Sequence, residues 1–216
     1  MRSFRASLAA TLAATVLSVL WVQPAQGSQL VVVPVSQWAY TTSDNANGPT
    51  TDSFIAPGDP TPAATVLRVG NDTTGRLYRG FMRFSLTGIS GQILNVQLVG
   101  RVDHTWSCSP RPTSFYRTAA IAVTPRQPWP GPSLLTPLGS NNVNASESVC
   151  NQPNLAFTLS TAVLRNDVQT AVLSGQPAYF VGISARDLAS GANEAAADRW
   201  MRYFLNDFRL QITFAP

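Results

Sequence analysis

The residues of this chain that could do chemistry are few, and their spacing favours holding a ligand over breaking a bond. His104 is the sole histidine and is flanked by Asp103. A histidine titrates near neutrality and is the commonest general base, so the pair invites that reading. Adjacent residues of a strand point to opposite faces, however, which places Asp103 badly for orienting the imidazole. His104 then reads as a strand-end residue that lines a ligand site. Glycoside cleavage usually needs two carboxyl groups facing each other across the scissile bond. The only glutamates are Glu147 and Glu194, both in polar stretches that read as loops, and the aspartates show no paired grouping. No G-x-S-x-G elbow, phosphate loop or HExxH zinc pattern occurs. The expectation is a protein that is not an enzyme, with no catalytic residue assigned; a small secreted hydrolase with dispersed acids stays open as an alternative.

Binding chemistry is better represented. A sugar ring has an apolar C–H face and polar edges, which suits aromatic platforms set beside Arg, Asn or Asp side chains. Trp38, Tyr40, Trp106, Trp129, Trp200 and Tyr203 are the candidates. Trp106 and Trp129 lie in or beside a long loop-like connection, where function concentrates. Trp38 and Trp200 border strands and read as core packing. Arg111 could pair with an acidic sugar, whereas Arg79, Arg83 and Arg101 are explained as well by a solvated sheet face. The expected ligand site is therefore His104, Trp106, Arg111 and Trp129. No metal site is assigned and no cofactor is expected; a structural calcium on Asp44, Asp52 or Asp59 is the alternative, although their spacing does not demand one.

The rest of the chain sets the context for that site. Arg2 and Arg5 precede an uncharged Ala/Leu/Val-rich run from Ala6 to Trp21, and Pro24-Ala25-Gln26-Gly27 offers small residues at a cleavage site. Residues 1–27 read as a secretory signal and 28–216 as one exported domain, with no membrane association once the signal is cut. All 15 basic residues are arginine; without Arg2 and Arg5, 13 face 11 acidic groups, a net charge of +2. Scattered rather than clustered, they give nucleic-acid binding little support. The two cysteines, Cys108 and Cys150, predict one disulfide in an exported chain. Closing that loop is worth about 4 kcal/mol on the chain-entropy argument.

Strand patterning centres on Arg76 to Cys108. Tyr78, Gly80, Met82, Phe84 and Leu86 alternate with Leu77, Arg79, Phe81, Arg83 and Ser85, and Val96, Leu98, Gly100 and Val102 share a face further on. This period of two predicts two long half-buried strands, and Thr87 to Gly91 predicts a turn that makes them a hairpin. Further strands are expected at Leu30–Val33, Asp52–Ala56, Val66–Gly70, Ser114–Ile121, Leu155–Leu159, Tyr179–Ala185, Trp200–Leu205 and Arg209–Phe214. Pro125–Pro137 and Gly139–Asn144 predict a long loop pinned by the disulfide. One helix is expected over Thr161–Leu173, with Ser160 as N-cap, Val163, Leu164, Val168, Ala171 and Val172 as its apolar stripe, and Gly175 as its stop.

Several of these landmarks together resemble a known family. VLRVGN at Val66–Asn71, RLYRGFMRFSLTGIS at Arg76–Ser90 and the following NVQLVGRV are similar to the secreted DNRLRE domains, which carry "L.VG…R.Y.RFDLS.I" in the same order. DHTWSCSPRP, FTLSTAVLRNDVQTAVLSG, VGISA and FRLQITF resemble later segments of actinobacterial members. Ser85 stands where the family usually has Asp. The resemblance implies a jelly-roll β-sandwich, an extracellular location and, from the related carbohydrate-binding module family 96, glycan binding. The combined expectation is an all-β jelly-roll sandwich with one short helix and a long disulfide-tied loop. Its expected partner is a polysaccharide or cell-wall glycan. A structural or adhesive protein that binds another protein is the alternative, and the oligomeric state is left open.

Overall fold

The computed structural model describes residues 27–43, 53–55, 66–72, 74–122, 127, 129–145, 153–191 and 194–216. The strands are β1 (Gln29–Ser43), β2 (Ser53–Ile55), β3 (Val66–Asn71), β4 (Leu77–Ser85), β5 (Gln92–Thr105) and β6 (Arg111–Thr118). β7 (Leu134–Val143), β8 (Ala156–Leu159), helix α1 (Ala162–Leu173), β9 (Ala178–Ser184), β10 (Met201–Phe204) and β11 (Arg209–Ala215) follow. Short 3-10 turns at Ala197–Arg199 and Leu205–Asp207 flank β10. The all-β class with one α-helix among the described residues is as expected.

The topology is not the expected jelly-roll sandwich. β1 pairs with β11, β11 with β5, β5 with β10, β10 with β3, β3 with β4, and β4 with β1 again, so six antiparallel strands close a ring. The physical reason is the length of β1 and β5. The first half of β1 lies on β11 and its second half on β4, with a register shift between Val35 and Gln37. β5 likewise serves β11 and β8, then β10, with a further shift inside that last pairing. Bulges bend strands, and bent strands turn the corners that two separate sheets cannot. Outside the ring, β9, β6 and β7 extend from β4, and β8 hangs on β5.

The expected hairpin is also corrected. Both strands exist, but β4 pairs with β1, β3 and β9 and β5 with β8, β10 and β11, so the Leu86–Gly91 turn joins strands that are not neighbours in the ring. The long loop is likewise partly a strand: β7 carries Pro137 and Gly139 and pairs with β6 alone. An edge strand tolerates proline because one row of its amides has no ladder partner to lose.

Inside, Leu67, Val69, Met82, Phe84, Val96, Leu98, Leu210 and Ile212 are fully buried. Phe115, Phe157, Tyr203 and Phe208 pack with ring centroids between 5.4 and 5.9 Å apart. Tyr203 donates its hydroxyl hydrogen to Thr113 Oγ1 at 2.6 Å, which satisfies the one polar atom that ring buries. Helix α1 covers the core with Leu164, Val168 and Ala171, while Val163, expected on that stripe, is 47% exposed. Its N-cap is Thr161, not Ser160: Thr161 Oγ1 accepts from the Leu164 amide at 3.0 Å. Gly175, at φ +65°, ends it as expected: its amide and that of Gln176 cap the Val172 and Ala171 carbonyls.

Candidate functional site

The last residues of β5 face the first of β10. His104 lies opposite Arg202 and Thr105 opposite Met201, but Val102 lies opposite Tyr203, so Asp103 is an extra residue. The bulge re-aims its side chain. Asp103 Oδ2 sits 2.9 Å from Arg202 Nε, although that N–H is not aligned for a hydrogen bond, so the contact is an ion pair first. The strict alternation expected of Asp103 and His104 therefore fails at this point, and Arg202 meets both. His104 also packs its ring edge-on to Trp200, 5.5 Å between centroids. Burial holds the imidazole below its ordinary protonation range, Arg202 adds to that, and Asp103 opposes both. Across β10, Arg202 lies directly opposite Arg68 of β3, so Arg68, Arg202 and His104 form one basic cross-strand row.

Trp106 follows that row. Its amide donates to the Trp200 carbonyl at 2.9 Å, and its side chain is 51% exposed. The corner beyond it is tied down: the Thr105 amide donates to Ala145 O, Thr105 Oγ1 to Ser107 O, and Asn144 Nδ2 to Cys108 O. Cys108 carries no free thiol. Cys150, its expected partner, lies outside the described residues, as do Glu147 and the calcium candidates Asp44, Asp52 and Asp59. Arg111 opens β6 and forms an ion pair with Asp198 of the 3-10 turn just before Trp200.

Segment 194–200 holds these parts in place and is itself fixed at several points. Glu194 accepts from Arg79 Nε at 2.9 Å, from Arg79 Nη2 and from Ser184 Oγ. Asn71 Nδ2 donates to Ala195 O, and Arg199 Nη1 to Ala185 O at 3.1 Å. Gly70, at φ +92°, lets β3 approach so closely that a Cβ there would lie 1.9 Å from Arg199 O. Trp200 is thereby set beside His104.

Three of the four expected site residues thus converge: His104 and Trp106 touch Trp200, and Arg111 grips the turn before it. Trp129 does not join them. It lies over the Arg79 guanidinium, 4.6 Å from ring centroid to carbon, on the outer face of β4. Arg79 is 7% exposed and Glu194 3%, so neither the solvated face expected for Arg79 nor the open loop expected for Glu194 is found. Arg83 is half-buried and Arg101 exposed, the latter paired with Asp207. Trp200, a candidate read as core packing, does pack against the core while flanking His104; sequence reasoning missed Arg202 and Arg68 as site residues. Their alternation in WMRYF and VLRVG put them on a surface-facing row, but nothing in the sequence pairs β10 with β5.

Chemically, the carboxylates here are engaged: Asp103 by Arg202, Asp198 by Arg111, Glu194 by Arg79. The open features are an exposed indole and a half-buried one, with Arg68 and the Asp103-paired Arg202 beside them. Among the described residues no cluster of metal-ligating side chains occurs, and no helix is long and apolar enough to cross a membrane. Neither the family models nor the curated proteins searched contain a match to this chain.

Proposed function

We propose that the protein is an exported, non-catalytic binding module for a polysaccharide or cell-wall glycan, of the kind its resemblance to DNRLRE domains implies. The observation that carries this reading is the exposure of Trp106 beside Trp200 and His104, on a corner fixed by backbone bonds to Trp200 and Ala145. An indole on a backbone held that way offers a flat apolar platform at a fixed place, and a surface whose backbone is already ordered binds more tightly than a floppy one. Arg202 and Arg111 supply donors around the rim. A bond between Cys108 and Cys150 belongs to the same proposal, since it would brace the connection that leaves Trp106.

The test is glycan-array binding with residues 28–216, followed by calorimetry on the best polysaccharide. Trp106→Ala is expected to weaken binding about tenfold, as loss of one aromatic contact predicts, with thermal stability unchanged. Trp129→Ala is expected to lower stability and leave affinity nearly intact, because its ring lies over a buried arginine. Affinity untouched by Trp106→Ala would remove the site. An adhesive role that binds protein is the second reading, favoured by Leu30 and Val32, 65% and 50% exposed on the stretch of β1 that pairs with β11 on one side only.

A further inference from the structure

β1 changes partners within three residues, and the gap this opens is a groove of its own. Its last pairing with β11 puts Pro34 opposite Arg209, and its first with β4 puts Val35 opposite Phe84. Gln37 then faces Arg83, which leaves Ser36 as the extra residue of a β-bulge. Proline suits the point of departure, having no amide hydrogen to leave unpaired. Where strands splay they cannot close on each other, and the turn Leu205–Asp207 fills the gap only in part. What remains is a groove of about 300 Å³ between Pro34, Val35, Ser36 and Trp38 on one side and Leu205, Asn206 and Phe208 on the other.

None of these lining residues is charged. Leu205 and Phe208 are buried beneath the groove, and Trp38 is half-buried, packed against the core as the sequence implied but also forming a wall. Ser36 donates its hydroxyl to Arg83 O at 3.0 Å and accepts from Arg83 Nη1 at 2.9 Å, which fixes its side chain with an acceptor lone pair to spare. Asn206 is exposed at the rim and offers both an amide donor and an acceptor. Its neighbour Asp207 is engaged by Arg101 Nε at 2.6 Å, so that acid is already paired.

We propose that this groove is a second saccharide subsite, one that takes a single uncharged pyranose-sized ring against Trp38, with Ser36 and Asn206 meeting its hydroxyl edges. The volume lies at the lower end of small-molecule sites, about 300 to 1,000 Å³, which fits one ring. The lining residues carry no charge of their own, and a charged group placed among Pro34, Val35 and Phe208 would lose its water; the Arg83 guanidinium beside Ser36 is a counter-charge only at the edge. A groove lined by both apolar side chains and hydrogen-bonding groups matches the two kinds of surface a sugar ring presents. The ligand class rests on the glycan reading of the Trp106 site, but the location does not.

The experiment is amide NMR on residues 28–216 with cellotetraose, xylotetraose and chitotetraose, and with tetragalacturonate as the charged comparison. At least one neutral probe is expected to move the Ser36, Gln37 and Asn206 amides, in the wild type and equally in Trp106→Ala. Asn206→Ala is expected to weaken that binding about fivefold, the loss of one hydrogen-bonding group. Asn206→Trp, which fills the groove from an exposed position, is expected to abolish it. Shifts confined to the Trp106 region, groove shifts lost in Trp106→Ala, or equal groove shifts with tetragalacturonate would overturn the groove and leave the Trp106 reading standing. No shift anywhere with any probe would overturn both.

Discussion

Glu194→Ala is expected to destabilise this protein far more than its place in a polar, Ala-rich stretch would suggest. Its carboxylate accepts from both Nε and Nη2 of Arg79 and from Ser184 Oγ, and the paired side chains are 4% and 8% exposed. Arg79 also reaches Pro130 O at 3.4 Å and lies under Trp129. Removing one partner of a buried ion pair strands the other charge, at a cost of about 3–5 kcal/mol. With a urea slope of about 2 kcal/mol per molar, the unfolding midpoint should fall by about 2 M. Glu194→Gln keeps the shape but not the charge and should lose most of that amount. Replacing both partners, Arg79→Met with Glu194→Met, should recover at least half of it, because buried pairs are often dispensable once neither charge remains. The assay is urea unfolding followed by tryptophan emission. A loss below about 1 kcal/mol for Glu194→Ala, the range of exposed pairs, would refute the claim that this pair is buried in solution.

Two further outcomes follow from the basic row. His104 is held below its ordinary value of 6.5, chiefly by burial and then by Arg202. The unfolded chain therefore takes up this proton more readily, so His104's contribution is complete above pH 6.5 and is lost as pH falls toward the depressed folded value. His104→Gln should flatten the dependence of melting temperature on pH below that point; an unchanged slope in the variant would clear His104 of any part in it. Arg68 and Arg202 lie directly opposite on neighbouring strands, so Arg68→Glu should replace a repulsion by an attraction worth about 0.5 kcal/mol. That is about 1–2 °C in melting temperature by scanning fluorimetry, and a lower value would show that the row is not under repulsion.

What the sequence conveyed depended on whether the signal was local. A period of two fixes which face of a strand is apolar, and Met82, Phe84, Val96 and Leu98 are buried where the alternation put them. It does not fix the neighbour. The turn at Leu86–Gly91, with positive φ at Gly88 and Gly91, serves a link between non-neighbouring strands of the ring as readily as a hairpin. The second face of β4 was misread for the same reason. Phe81 is fully buried there with Ala39 and Ile121, because residues distant in sequence cover that face. Arg79 goes with it, and no local pattern marks an arginine whose carboxylate lies 115 positions away. The helix stop was legible because a glycine after an apolar stripe acts locally. The cap was missed by one residue because Ser160 and Thr161 are both competent and geometry selects between them.

The site was half legible, and the missing half explains the rest. Trp106 and Trp129 looked alike in sequence, as aromatic residues in or beside a polar connection. In the fold Trp106 hangs by its amide from Trp200, and Trp129 lies over the arginine that grips Glu194. Trp106 therefore meets segment 194–200 directly, and Trp129 is linked to it through Arg79. One end of that segment is the buried ion pair; the other is Trp200, whose indole meets His104 and whose carbonyl accepts from the Trp106 amide. The buried pair does not have to touch a ligand to matter to one. By fixing Glu194 it helps fix Trp200, and with it the carbonyl from which the Trp106 amide is hung. Surface residues that recognise a ligand need such bracing, since a platform free to move must be ordered again at each binding event. The buried polar face of β4 and the exposed aromatic corner of β5 are thus one arrangement, and the variant that unpairs Arg79 should loosen the corner as well as the core.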